Sequence, residues 1–152
     1  MKTLQEWFED YAVSHQNETN IKIHFICVPV IFFSIVGILM SIPSGIISET
    51  LGISNPIIAN WAAVIMIPVL IFYLRLSFSM FLKMLFFSAL CLVGNYYLSL
   101  ALPLFLTSLA IFVAAWVGQF YGHHVEGKKP SFLKDLQFLL IGPAWVFEKM
   151  LR

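Results

Sequence analysis

A long apolar run of this 152-residue sequence ends in residues 118–130, which read GQFYGHHVEGKKP. Within this stretch, His123, His124 and Glu126 lie within four residues of one another. The other two histidines of the chain, His15 and His24, flank the start of the first apolar run. The arrangement of the molecule therefore depends on whether the start of the first run and the end of the last run meet.

The composition predicts an integral membrane protein. Hydrophobic residues make up 60% of the chain and charged residues only 11%, and the mean hydropathy is +0.88. A soluble domain is about half apolar and about a quarter charged, and a domain this small has too little interior to bury so much apolar surface. The net charge of +1, with no stripe of basic residues, argues against a nucleic-acid partner. The N-terminus is amphipathic and acidic, whereas a signal peptide is basic and then apolar, so the first apolar run is expected to remain as an anchor.

Six helices are predicted from the pattern of apolar residues. Four runs approach the ~20 residues that cross a hydrocarbon core, over residues 23–42, 57–74, 79–98 and 104–121. Two amphipathic segments, over 3–15 and 131–150, predict helices in the membrane interface, and the second of these can also be re-entrant. Thr3 and Glu6 have the spacing of a capping box. The prediction is a single membrane domain over residues 1–152, an all-α four-helix bundle with short interfacial helices at both termini.

Residues 17–20 are predicted to form a turn between the first two helices, because Asn and Thr favour turns and helix N-caps. On one continuous helix, His15 and His24 would be nine residues apart and on nearly opposite faces. With a turn between them, His15 ends one helix and His24 lies in the second turn of the next. Both imidazoles can then point into one corner.

The distribution of basic residues predicts the topology. The loops after the first and third predicted spans contain no Lys or Arg, so all nine basic residues lie on one side, which the positive-inside rule assigns to the cytoplasm. Both termini are then cytoplasmic, and all four histidines lie at the cytoplasmic ends of the first and fourth spans. If those helices are neighbours in an up-down bundle, the imidazoles converge. A bacterial inner membrane and an endoplasmic reticulum membrane are equally consistent with this pattern.

The histidines predict a metal site, because imidazole is a common ligand for iron, zinc and copper. The candidate ligands are His15, His24, His123 and His124. Neighbouring residues on a regular helix diverge by about 100°, so only one of the last two faces a given metal unless the adjacent glycines make the backbone irregular. Glu126 is a ligand, a hydrogen-bond partner of an imidazole or a solvated charge. The alternative for the whole group is a set of interfacial polar residues that satisfy water and helix ends.

Two segments resemble the motifs of the fungal 2-hydroxy fatty acid dioxygenase family. The opening motif is similar to residues 11–29, where the matching residues are Tyr11, His15, Asn20, His24 and Pro29. The closing motif resembles residues 119–130 and 142–143, where the matching residues are Gln119, Phe120, Gly122, His123, Glu126, Lys128, Pro130, Gly142 and Pro143. The resemblance extends over almost the whole chain, although the two motifs are its specific part and the spans between them are generic.

The resemblance implies a small four-span membrane enzyme. The yeast members act in the endoplasmic reticulum in phytosphingosine breakdown, where they shorten a 2-hydroxy fatty acid by one carbon with ferrous iron and molecular oxygen. By position, His15, His24 and His123 match the family's iron ligands, while Asn20 and Glu126 match polar positions that we take as catalytic candidates. The implied cofactor is Fe(II), although zinc competes well for imidazole sites in purified samples. The implied partners are a 2-hydroxy fatty acid, molecular oxygen and membrane lipid, and the sequence carries no signal for an oligomeric state.

Two other functions are compatible with the same histidines. A small membrane haem protein would use one histidine from each cluster as an axial ligand. A non-enzymatic scaffold or lipid-binding protein would use them only to cap helices. A di-iron desaturase or hydroxylase fits poorly, because such sites use many more histidines than four.

Overall fold

The computed structural model of the chain describes residues 1–133 and 136–152, and every regular element within them is helical. The elements are α1 (Leu4–Ala12), α2 (Glu18–Met40), α3 (Gly45–Leu51), α4 (Trp61–Leu76), α5 (Phe78–Ala101), α6 (Leu104–Glu126), a 3-10 helix (Ser131–Leu133) and α7 (Gln137–Met150). They form two compact units, one of Met1–Ile31 with Val113–Arg152 and one of Phe32–Phe112. The all-α prediction is confirmed for these residues.

Three helices are long and apolar enough to cross a membrane, and they are α2, α5 and α6. Helix α4 is also apolar but has only 16 residues, which extend about 24 Å, less than the ~30 Å of a hydrocarbon core. It begins later than the predicted span over 57–74 because Asn60 caps it, with Oδ1 accepting from the amide of Ala63 at 2.9 Å. The membrane-protein class is therefore supported by three helices, and the fourth predicted span is this shorter one.

The first break in the chain lies earlier than predicted. Helix α1 ends at Ala12, and α2 already begins at Glu18, because Oδ1 of Asn17 accepts from the amides of Thr19 at 2.9 Å and Asn20 at 3.3 Å. Residues 18–20 are thus the start of α2, and the turn is formed by residues 13–17, which we name the connector. His15 lies in the connector, while His24 lies in the second turn of α2 as predicted.

Helices α1 and α7 pack against each other through aromatic side chains. The predicted capping box is present at Thr3 and Glu6, and the face of α1 that carries Trp7 and Tyr11 is buried. The rings of Trp7 and Phe138 meet edge to face with centroids 5.4 Å apart, and the ring centroids of Tyr11 and Trp145 are 5.3 Å apart. The helix predicted over 131–150 forms as the 3-10 helix and α7, while Lys134 and Asp135 lie outside the described residues.

Two glycines on α6 bring it close to α2 in the first unit. A Cβ atom on Gly118 would lie 2.8 Å from Sγ of Cys27, and one on Gly122 would lie 2.5 Å from Oδ1 of Asn20. Small residues one turn apart allow two helix backbones to approach closely in a membrane. The end of α6 is thereby held against the first turns of α2, where His24 lies.

The second unit is built around α4 and α5, which are joined by Ser77. The side chain of Ser77 accepts from the amide of Met80 to cap α5, while its own amide donates to the carbonyl of Tyr73 at the end of α4. A short helix, α3, forms within the segment between the first two predicted spans, residues 43–56, and buries Ile47. Its C-cap is Gly52, whose positive φ of 64° favours glycine.

Candidate metal centre

Three histidines converge in the first unit. His15 comes from the connector, His24 from α2 and His123 from the last turn of α6, and their side chains are only 2%, 1% and 6% exposed. Each offers a ring nitrogen, and these atoms lie within 4.8 Å of one another. The two histidine clusters of the sequence therefore meet in one buried group.

The proton positions on two of these rings follow from their backbone partners. Nδ1 of His15 lies 2.6 Å from the carbonyl oxygen of Tyr11, and Nδ1 of His24 lies 2.9 Å from the carbonyl oxygen of Asn20. Since a carbonyl oxygen can only accept, each Nδ1 carries the proton and donates it, which leaves Nε2 of the neutral ring with a lone pair. These two Nε2 atoms are only 2.9 Å apart.

The third ring also presents an unsatisfied nitrogen. Nδ1 of His123 is buried and has no hydrogen-bond partner among the described residues. Buried polar atoms normally have partners, and an exception often marks a place where an ion or water binds. The group therefore combines two facing lone pairs with a further unpartnered nitrogen.

The surroundings of His15 keep its ring neutral and fixed. Burial lowers the pKa of His15 to about 4, so the imidazole is uncharged at neutral pH, the form that binds metals. The ring of Tyr11 stacks on it with centroids 4.0 Å apart and planes 9° apart. Trp145 of α7, only 2% exposed, covers it from another side with its centroid 5.4 Å away. Burial also raises the pKa of the Tyr11 phenol, which stays protonated.

The two predicted catalytic residues are hydrogen-bonded to each other beside the histidines. The Glu126 carboxylate accepts from Nδ2 of Asn20 at 3.0 Å, and it also accepts from the amides of Gln16 at 2.9 Å and Asn17 at 2.8 Å. Oδ1 of Asn20 is buried and without a partner among the described residues. The carboxylate thus faces the backbone of the connector, and it is not one of the three grouped ligands.

The fourth candidate ligand lies apart from the other three. His124 is exposed on α6, one residue after His123, where the helix turns it away by about 100°. The helix is regular up to Glu126, so the backbone irregularity that would have let both neighbours point the same way is absent from this segment. The structure brings together three of the four histidines.

The comparisons with known proteins identify the family. The full chain, residues 1–152, matches the family described as "2-hydroxy-palmitic acid dioxygenase Mpo1-like". The chain belongs to this family. The resemblance seen in the two sequence motifs is thereby confirmed, whereas no curated protein and no solved structure matches the chain.

Sequence reasoning missed the roles of several residues around this Mpo1-like site. Tyr11 was matched to the opening motif but given no role, although it supplies both the carbonyl and the stacked ring for His15; its position four residues before His15 was the available signal. The Gly118-x-x-x-Gly122 spacing could have indicated the close approach of α6 to α2. Trp145 gave no signal, because an aromatic residue in an apolar helix is ordinarily a packing residue.

The donor set of this Mpo1-like chain indicates what the site can hold. Three neutral imidazoles suit iron, copper, nickel or zinc and do not suit magnesium or calcium, which prefer oxygen ligands. Three protein ligands also leave further coordination positions open for small molecules. Such a donor set suits a reactive transition-metal site better than a closed structural one.

Proposed function

We propose that the protein is an Fe(II)-dependent membrane dioxygenase that shortens 2-hydroxy fatty acids by one carbon. The observation that carries this proposal is the pair of Nε2 atoms of His15 and His24, which face each other at 2.9 Å while both rings carry their protons on Nδ1. Two facing lone pairs repel each other unless a cation lies between them. Membership in the Mpo1-like family supports the reaction and the substrate class.

The residues fit a transition-metal ion. Two imidazole nitrogens that bind one ion at right angles through bonds of about 2.1 Å lie roughly 3 Å apart, close to the 2.9 Å separation of the two Nε2 atoms. His123 would supply the third ligand from its ring, whose buried Nδ1 has no hydrogen-bond partner among the described residues. Iron is preferred to zinc for this chemistry because zinc has no redox activity, although zinc is expected to compete for the site in purified protein.

The protein's own residues orient the ligands and exclude water. The carbonyl groups of Tyr11 and Asn20 fix the tautomer and the direction of two rings, a role that hydrogen-bond partners of metal ligands commonly have. The rings of Tyr11 and Trp145 cover the site. When bound, Fe(II) would supply oxygen activation and open positions for the carboxylate and hydroxyl oxygens of a 2-hydroxy acid.

The membrane arrangement suits a lipid substrate. We propose that the chain crosses the membrane four times, with α4 as the short span, and that both termini lie in the cytoplasm. The membrane is either a bacterial inner membrane or that of the endoplasmic reticulum. His24 lies near the start of α2 and His123 near the end of α6, and both helices are candidate spans. The substrate's polar head would then reach the metal at the cytoplasmic face while its tail lies among the helices and lipid.

The overall reaction balances with one molecule of oxygen. A 2-hydroxy acid and O₂ give the acid shortened by one carbon, carbon dioxide and water, so no further reductant is needed. We expect anaerobically purified protein loaded with Fe(II) to consume oxygen when 2-hydroxypalmitate is added and to form pentadecanoic acid, measured by an oxygen electrode and mass spectrometry.

Two neighbouring histidines provide the matched pair of variants for this experiment. His123→Ala should abolish both oxygen uptake and product, because it removes a ligand, whereas His124→Ala should retain them, because that side chain is exposed. A folded, iron-loaded wild-type protein that consumed no oxygen with 2-hydroxypalmitate would contradict the proposed reaction.

A further inference from the structure

Residues that end and follow α6 hold the connector, residues 13–17, at several points. Glu126 accepts from the amides of Gln16 and Asn17. Nζ of Lys128 donates to the carbonyl of Val13 at 2.8 Å. The connector carries His15, so its position decides where that imidazole lies.

Glu126 makes the strongest of these contacts. Its two carboxylate oxygens accept three hydrogen bonds of 2.8–3.0 Å, two from the connector backbone and one from Asn20. Hydrogen bonds to an ionised carboxylate are about twice as strong as those between neutral groups. The two backbone donors lie more than 100 residues away from Glu126 in the sequence.

The same carboxylate is linked to all three candidate ligands. His15 directly precedes Gln16, whose amide donates to Glu126. Asn20 donates to Glu126 through its side chain and accepts from His24 through its carbonyl. His123 lies one turn before Glu126 on α6, so a single side chain ties the three elements of the site together.

We propose that Glu126 is a positioning residue of the metal centre, which acts through the connector backbone and Asn20 and does not bind the metal. This inference rests on the proposed metal site. The carboxylate holds His15 at the distance from His24 and His123 that one ion requires. Without it, the amides of Gln16 and Asn17 lose their acceptor and the connector is free to move His15 away.

The test uses Co(II) as a spectroscopic probe with the full-length protein in detergent under anaerobic conditions. The absorption bands of bound Co(II) report its ligands, and their growth during titration reports its affinity. For Glu126→Gln we expect an affinity about 10–100-fold weaker than that of the wild type, the range typical of residues that support metal ligands. The spectrum at saturation should equal that of the wild type, because the same three nitrogens bind.

The matched control is Glu18→Gln, the same substitution at an exposed carboxylate in the first turn of α2, which should leave the affinity unchanged. Glu126→Asp keeps the charge on a shorter side chain and should give an intermediate affinity. It also keeps the test informative if the Gln variant does not fold. Thermal unfolding of the metal-free variants separates a loss of fold from a loss of affinity.

Three outcomes would overturn the inference. An unchanged affinity in Glu126→Gln would show that the carboxylate does not position His15. A changed spectrum at saturation would make Glu126 a ligand. A wild-type protein that bound no Co(II) would overturn the metal site itself, whereas normal Co(II) binding without oxygenase activity would leave this inference standing and contradict only the proposed reaction.

Discussion

Each of the two compact units contains a fully buried polar cluster, and the two clusters differ in chemistry. In the first unit, the cluster is made by the rings of His15, His24 and His123, and Nδ1 of His123 and Oδ1 of Asn20 are buried without partners among the described residues. In the second unit, Oδ1 of Asn95 and the hydroxyl of Ser108 are buried without partners among the described residues, and both lie against Gly37. Equal burial therefore does not mean equal function: imidazoles bind transition metals, whereas amides and hydroxyls join membrane helices.

The hydrogen bonds within each cluster explain the difference. In the first cluster, Nδ1 of His15 donates to the backbone carbonyl of Tyr11 and Nδ1 of His24 donates to that of Asn20. Nε2 of each of these two rings therefore keeps its lone pair. In the second, Nδ2 of Asn95 donates to the carbonyls of Phe33 at 3.0 Å and Cys91 at 2.9 Å. Asn95 thus links α5 to α2 directly.

The largest expected effect separates the two clusters by metal binding. His24→Ala should weaken Co(II) binding more than about 100-fold, since loss of a ligand exceeds the 10–100-fold cost of losing a supporting residue. Asn95→Ala should leave Co(II) affinity unchanged. The measurement is a spectroscopic Co(II) titration, and a loss of binding in Asn95→Ala would contradict the assignment of the metal to the first unit alone.

A glycine in each unit gives the next largest effect. Gly122→Ala and Gly37→Ala should each lower the free energy of unfolding by about 1–3 kcal/mol through overpacking, because the added Cβ would meet Asn20 in one case and Ser108 and Asn95 in the other. Only Gly122→Ala should also weaken Co(II) binding. Chemical unfolding in detergent measures the free energy of unfolding of each variant, and a Co(II) titration then distinguishes Gly122→Ala from Gly37→Ala.

Gly45→Ala is the control for both glycine variants. A Cβ at Gly45 meets nothing within 4 Å, so the free energy of unfolding should change by no more than about 0.5 kcal/mol. A loss at Gly45 as large as that at Gly122 would show that close helix packing is not the cause.

Within the second cluster, the two polar residues should behave differently. Asn95→Ala should cost about 1–2 kcal/mol of unfolding free energy, because it removes two hydrogen bonds. Ser108→Ala should change it by no more than about 0.5 kcal/mol, since its hydroxyl is buried without a partner among the described residues. Equal and large losses in the two variants would imply that Ser108 makes an unseen contact.

The smallest effect concerns α1, which carries Tyr11 to the first cluster. Thr3→Ala should cost about 1 kcal/mol by removing the cap without changing Co(II) affinity. Hydrogen bonds from the Thr3 amide and hydroxyl lower the pKa of Glu6 below its ordinary 4.5, so the part of the cap that the carboxylate accepts is present above that pH and fades as the pH falls through the lowered value. The bond from the Glu6 amide to the Thr3 hydroxyl does not titrate, so thermal unfolding from pH 7 to 3 should show the difference between the wild type and Thr3→Ala becoming smaller in acid without disappearing.

The sequence predicted a meeting of the histidines, and three of the four meet. The prediction rested on the charge bias, which assigns them to one side of a membrane, and on a break near Asn17 that turns His15 toward His24. The position of the break was missed, since an Asn can equally end a turn or cap a helix. The hydrogen bonds of Glu126 could not be predicted, because their donors are backbone amides that every residue carries. The start of α4 was predicted too early, because the apolar sequence already begins at Ile57 and Ile58, whereas Asn60 caps the helix.

The most direct test of the central claim is the iron content of protein purified anaerobically with Fe(II), with His123→Ala and His124→Ala prepared alongside the wild type. The three-histidine centre predicts about one iron ion per chain in the wild type and in His124→Ala, and little iron in His123→Ala. Iron retained by His123→Ala, or lost from His124→Ala, would contradict it.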